Sequence, residues 1–102
     1  MVTKTLSAEI TANITQLKKL KENDPTNQEL IALLQDMYDA LHKAQGKEWE
    51  EQVKEYKEAK KALAAAKRTT QAAINDLSKV AEAITIATSA LAKIVPALAV
   101  LG

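Results

Sequence analysis

A residue able to face a partner helix recurs every seven positions from Trp49 to the end of the chain. The row is apolar except for one threonine, and it comprises Trp49, Tyr56, Leu63, Thr70, Leu77, Ile84, Leu91 and Leu98. A seven-residue repeat keeps one side of a helix turned toward a partner helix. About half of the chain is therefore expected to lie against other helices. This pattern predicts coiled-coil-like packing and association, and it says nothing about chemistry.

The composition favours helix almost everywhere. Only two glycines and two prolines occur among 102 residues, and alanine, leucine, lysine and glutamate dominate. We therefore expect an all-α protein whose residues 1–102 form a single helical domain. The chain has no cysteine, which excludes disulfides and thiolate metal sites. A formal net charge of +1 provides no global attraction to nucleic acid or anionic lipid.

Breaks in the hydrophobic pattern divide the chain into three predicted helices. These are expected at about 7–22, 27–45 and 47–95, followed by an apolar tail at 96–102. Asp24 and Pro25 mark the first break, because proline disfavours helix at the residue before it. Thr26 and Glu29 have the spacing of a capping box at the start of the second helix. Gly46 is the predicted C-cap of that helix, and Pro96 is predicted to end or kink the last one.

The predicted fold is an antiparallel helical bundle with a long heptad-patterned C-terminal helix. The first two helices pack on the N-terminal part of the third, and its C-terminal part projects beyond them. An alternative stays open, in which the chain turns near Thr69 and forms an up-down four-helix bundle. The unbroken heptad row favours the continuous helix, whereas basic side chains that end with Arg68 favour a helix that stops there.

The apolar C-terminal segment predicts self-association. In a projecting helix its apolar circumference would be exposed, at about 25 cal/mol for each Å² of apolar surface. We therefore expect a homo-oligomer, most simply a two-fold dimer. The predicted interface residues are Leu77, Ile84, Leu91, Ile94, Val95 and Leu98.

No constellation of residues predicts catalysis, a cofactor or a metal. Asp39 and His42 form half of a helical metal motif, and di-metal bundles need two such motifs with further glutamates. Two glycines cannot build a phosphate-binding loop. The acidic cluster is interleaved with lysine, as on a solvated helix face; it comprises Glu48, Glu50, Glu51, Glu55 and Glu58. The basic cluster lacks accompanying base-reading residues, so nucleic acid is not expected; it comprises Lys57, Lys60, Lys61, Lys67 and Arg68.

The chain is accordingly predicted to be a non-catalytic structural or protein-interaction module that self-associates through its apolar C-terminal helix. The alternative is a membrane-active or secreted assembly subunit whose C-terminal helix inserts or polymerises. Residues 83–101 approach the length of a membrane span, but Lys93 and Pro96 interrupt them. Residues 1–20 lack the continuous apolar core of a signal peptide, so a cytoplasmic location is expected, with non-classical secretion left open.

Two short stretches resemble known families. The Asp-Pro turn and the Glu-Leu-Ile-Ala-Leu-Leu-Gln opening of the second helix, within Asp24–Gln35, resemble the helical hairpin of type III secretion needle subunits. The segment from Gly46 to Trp49 resembles the turn of small secreted helical hairpins of the WXG type. The later charged and apolar segments depart from the first pattern, and the second lacks its defining Trp-x-Gly, so neither resemblance implies a function for this chain.

Overall fold

A computed structural model describes residues 6–45 and 54–101. These residues form four α-helices and one short 3-10 helix at Leu77–Lys79. The α-helices are α1 (Leu6–Asn23), α2 (Gln28–Ala44), α3 (Lys54–Asn75) and α4 (Val80–Leu101). The predicted all-α class and helical bundle are confirmed, whereas the single-domain assignment stays a prediction.

The four helices stand at the corners of a square. α1 packs on α2 and α3, and α4 packs on α3 and α2, with α3 and α4 forming the most extensive contact. The consecutive helices α2 and α3 therefore occupy diagonal corners. The prediction that the first two helices both pack on the third is therefore wrong for α2.

α1 and α3 run parallel to each other. The Leu6 backbone N–H donates to the Tyr56 hydroxyl at 2.8 Å, and the Asn13 side-chain amide donates to the Leu63 carbonyl at 3.0 Å. Both bonds join residues 50 positions apart, as a parallel pair requires. Because tight turns make α2 antiparallel to α1 and α4 antiparallel to α3, α2 and α4 are parallel as well. Consecutive helices therefore alternate in direction, as the predicted antiparallel bundle requires.

One apolar core runs through all four helices. α1 and α2 contribute mostly large side chains; those with little or no exposed surface are Leu6, Ile10, Ile14, Leu17, Leu20, Leu30, Leu33, Leu34 and Met37. α3 and α4 contribute mostly alanine; the alanines without exposed surface are Ala59, Ala66, Ala73, Ala83, Ala87, Ala90 and Ala97. Small side chains let two helices approach closely, because the distance between helix axes depends on the side chains at the contact.

The predicted continuous helix over 47–95 is wrong, because the chain turns at Asp76. The Asp76 carboxylate accepts hydrogen bonds from the Ser78 backbone N–H at 3.1 Å and from the Ser78 hydroxyl at 2.7 Å. These bonds cap the 3-10 helix and lower the pKa of Asp76, with Lys79 adding a weaker effect in the same direction. Folding α4 back onto α3 also buries an apolar side of each helix that a projecting helix would expose.

The alternative, a four-helix bundle, agrees with the four α-helices of the described residues, but its predicted turn near Thr69 is wrong. Thr69 and Thr70 lie inside α3, and their hydroxyls donate to the carbonyls of Ala65 and Ala66 at 2.9 and 2.8 Å. Thr70 is fully buried. The heptad row continues through the true turn, but its member there, Leu77, is 49% exposed.

Local details at the ends of α2 and α4 differ from the predictions. Asn27 rather than Thr26 caps α2, with its side-chain oxygen accepting from the Leu30 backbone N–H at 3.0 Å. Pro96 lies inside α4, which continues to Leu101. Pro96 and Ala92 are both exposed, so water can solvate the Ala92 carbonyl that lacks its helical donor. The predicted cap at Gly46 lies outside the described residues.

Candidate functional site

The six predicted interface residues divide between the core and the surface. Ile94 is fully buried and Ile84 is 9% exposed, whereas Leu91 and Leu98 are partly buried against the core. Leu77 and Val95 remain on the surface, at 49% and 67% exposed. The premise that this whole seam is exposed in a monomer is therefore wrong, because α3 and α2 already cover part of it.

A second seam lies on the opposite side of α4 and faces solvent. Its members alternate at spacings of four and three residues, and each is exposed; they are Ala81, Thr85, Thr88, Ala92, Val95 and Ala99. We call this set the outer stripe. A four-three alternation is the spacing that keeps a seam facing a partner helix. The outer stripe therefore has the geometry of a helix-packing surface but no partner within the described residues.

The outer stripe presents no charge. The Thr85 hydroxyl donates to the Ala81 carbonyl at 3.0 Å, and the Thr88 hydroxyl donates to the Ile84 carbonyl at 2.7 Å. Both hydroxyl protons are therefore satisfied inside α4. A partner helix could therefore cover both threonines without leaving an unpaired hydroxyl donor, but close cover of Ala92 would take water from its carbonyl.

A shallow groove borders the outer stripe where α4 meets α2. Its volume is about 310 Å³, and Leu91, Ile94 and Leu98 of α4 line it together with Asp36 and other residues of α2. Ala92 and Val95 belong to both the groove and the outer stripe. The exposed apolar surface of α4 therefore extends beyond the outer stripe toward α2.

α4 is also apolar enough to resemble a membrane span. The segment Leu77–Ala99 has the length and composition of a span, yet only 33% of its most apolar 18-residue stretch is buried in the bundle. Core helices of soluble proteins pass the same criterion, but they are mostly buried. α4 therefore combines an apolar composition with a side that faces solvent.

A second groove lies between α1 and α2. Its volume is about 490 Å³, and Ile31, Leu34 and Tyr38 provide apolar surface beside Lys18 and Lys21. Tyr38 is 47% exposed. The groove covers about two turns of α2, so it is a shorter apolar surface than the outer stripe.

The basic cluster of α3 has no exposed aromatic ring beside it within the described residues. Lys57, Lys61 and Arg68 are exposed, and the Lys60 ammonium lies 5.6 Å from the centre of the Tyr56 ring. Tyr56 itself is fully buried. Its ring therefore cannot stack on a base, which is how proteins commonly bind single-stranded nucleic acid.

The described residues contain no group of three or more side chains able to hold a metal ion. Asp39 and His42, the predicted half-motif, are both exposed on α2. In the acidic cluster, Glu55 is partly buried and Glu58 is exposed. The remaining members, Glu48, Glu50 and Glu51, lie outside the described residues, as does Trp49.

One polar side chain is buried at the centre of the α1–α3 contact. Asn13 is fully buried, and its amide nitrogen donates to the carbonyls of Glu9 and Leu63 at 3.0 Å each. Its amide oxygen has no hydrogen-bond partner in the described part of the chain. Asn13 thereby fixes the register of α1 against α3, at the expense of one unsatisfied acceptor.

Comparisons with protein-family models, with curated proteins and with solved structures find no match to this chain. Neither of the two families that short stretches of the sequence resemble is therefore shown. Function has to be argued from the surface of α4 and its surroundings.

Proposed function

We propose that this protein is a non-catalytic structural or protein-interaction module that self-associates through the outer stripe of α4. The observation that supports this proposal is an uncharged row of exposed residues, spaced alternately four and three positions apart, on the apolar helix α4. Its Val95 is the most exposed large hydrophobic side chain of the described residues, at 67%. Covering this surface removes apolar area from water, at about 25 cal/mol for each Å².

The proposed interface differs from the one that the heptad row predicted. Ile84 and Ile94 are buried in the core of the protomer, so a second copy cannot contact them. Val95 belongs to both sets, and Leu91 and Leu98 flank the outer stripe on the side of α2. Self-association is therefore proposed on the opposite side of the same helix.

A pair of matched substitutions tests this proposal. Ala92→Glu places a carboxylate in the middle of the outer stripe, and Ala32→Glu places the same group at an exposed position of α2. Burying an unpaired charge is costly, so Ala92→Glu should shift the protein to monomer, while Ala32→Glu should leave its solution mass unchanged. Light scattering coupled to size exclusion measures both. Equal behaviour of the two variants would place the association surface elsewhere.

A membrane-active assembly subunit is the second candidate, supported by the span-like composition of Leu77–Ala99. In that case the hairpin would open at Asp76 and insert α4 into a bilayer. Vesicle co-sedimentation and dye leakage test this function. The self-association proposal predicts that the protein leaves vesicles intact and unbound, and dye leakage at low protein concentration would favour the second candidate instead.

A further inference from the structure

Two charged side chains lie along the same flank of the outer stripe. Glu82 and Lys93 are both exposed, and they are the only charged residues of α4. Eleven residues separate them, which is close to three full turns of helix, so both point to the same side. Neither forms an ion pair with another described residue.

The order of these charges distinguishes the two ways in which two copies of α4 could pack. A parallel two-fold pair would place this flank of each copy on opposite sides of the contact, so neither Glu82 nor Lys93 would face a charge of the second copy. An antiparallel pair brings the same flanks together in opposite order, so Glu82 of each copy lies near Lys93 of the other. Antiparallel packing also sets the two helix macrodipoles in opposition, which is the favourable arrangement.

We infer that the partner of the outer stripe is a second copy of this chain, packed antiparallel about a two-fold axis, with Glu82 of each copy beside Lys93 of the other. This inference rests on the proposed function. A two-fold interface requires a surface that complements itself. The outer stripe meets this requirement because it combines uncharged small side chains with one acidic and one basic flanking residue.

The size of these side chains favours a helix over a lipid surface as the occupant. Alanine and threonine bury little area when they insert into lipid, yet they permit two helices to approach closely. At an anionic membrane surface Glu82 would be repelled and Lys93 attracted, so this flank gives no net electrostatic preference for lipid. Against a second copy, the same carboxylate meets an ammonium group.

Disulfide cross-linking tests the orientation without ambiguity, because the natural chain has no cysteine. A disulfide needs Cα atoms about 4.4–6.8 Å apart, so it reports only close neighbours. The variants are Ala81→Cys, Ala92→Cys and Ala99→Cys, all at exposed positions where the fold should tolerate them. Each variant is oxidised alone and in equimolar mixtures.

The antiparallel arrangement with Glu82 beside Lys93 predicts a cross-linked dimer when Ala81→Cys is mixed with Ala92→Cys, and none from Ala81→Cys alone or mixed with Ala99→Cys. Efficient cross-linking of Ala81→Cys by itself would show a parallel pair and overturn this inference, while self-association would stand. A dimer by light scattering that gives no cross-link in any mixture would place the contact off α4. A monomer by light scattering would contradict the proposed function itself.

A charge exchange gives an independent check. Glu82→Lys should raise the dimer Kd roughly tenfold, because two attractive pairs become repulsive. The double variant Glu82→Lys with Lys93→Glu should restore the original Kd. In a parallel pair Glu82 faces no charge of the second copy, so an unchanged Kd for Glu82→Lys would contradict the antiparallel arrangement.

Discussion

The two hairpins of this bundle fill their core positions with side chains of different size. The α1–α2 hairpin uses mostly leucine and isoleucine, whereas the α3–α4 hairpin buries seven alanines without exposed surface. The alanine-rich pair nonetheless makes the most extensive contact between helices. Large apolar side chains recur on one side of a helix, so their positions in the sequence identify the buried side. Alanine permits close packing but also occurs on the exposed side, so it does not identify which side is buried.

Removing a large side chain from the first hairpin should have the largest effect. Leu17 is fully buried in α1, so Leu17→Ala should lower the free energy of unfolding by about 2–5 kcal/mol. Leu77→Ala removes the same atoms from a side chain that is 49% exposed, and it should cost far less. Urea denaturation measures both. Equal losses would show that core packing in α1 does not carry the stability of the bundle.

Adding a large side chain to the second hairpin should have the next largest effect. Ala90 is fully buried between α3 and α4, so Ala90→Leu should destabilise the protein by about 1–3 kcal/mol through overpacking. Ala92→Leu adds the same atoms to the outer stripe, where there is room. We expect that variant to keep the stability of the protomer and to weaken self-association, because a leucine would overpack the close contact between two outer stripes. An Ala90→Leu protein of undiminished stability would contradict the close packing of α3 and α4.

Replacing the buried amide of α1 should have a small effect. Asn13→Leu removes two hydrogen bonds to carbonyls and also removes an unsatisfied buried oxygen. These opposing changes should leave the free energy of unfolding within about 1 kcal/mol of the parent. Asn13→Ala, which leaves a cavity as well, should be clearly less stable. A loss above about 2 kcal/mol for Asn13→Leu would mean that the oxygen has a partner, such as buried water.

The turn that separates α3 from α4 should show the smallest effect, and it should depend on pH. Hydrogen bonds from Ser78 lower the pKa of Asp76 in the folded state. A lowered pKa means that the stabilisation is complete above the ordinary pKa of aspartate and is lost as the pH falls through the folded value. Asp76→Ala should therefore lower the Tm slightly at neutral pH, and the difference from the parent should vanish in strong acid. A difference in Tm that is the same at every pH would exclude the charged cap as its cause.

The first hairpin could be predicted from the sequence almost to the residue. α1 was expected at 7–22 and extends over Leu6–Asn23, and α2 was expected at 27–45 and extends over Gln28–Ala44. Leucine and isoleucine at helical spacing mark one side of each helix, and Pro25 marks the break between them. Bulky residues and proline are the features whose physical effect depends least on tertiary context.

The second hairpin could not be predicted in the same way, for two physical reasons. Two heptad-patterned helices joined by a turn have the same sequence period as one continuous heptad-patterned helix. The repeat therefore did not indicate the turn at Asp76. The local signal for this turn was that Asn75 and Asp76 are weak helix formers. Ala87 is buried and Ala92 is exposed, yet both are alanine, so the residue type does not distinguish them. The spacing of the outer stripe was the signal that could have identified the exposed seam.

The central claim is that the uncovered side of α4 is an association surface. Solution mass by light scattering coupled to size exclusion, over a hundredfold range of protein concentration, tests it most directly. We expect a dimer whose population rises with concentration, because the outer stripe of each copy covers that of the other. A compact monomer at every concentration would contradict the proposed self-association.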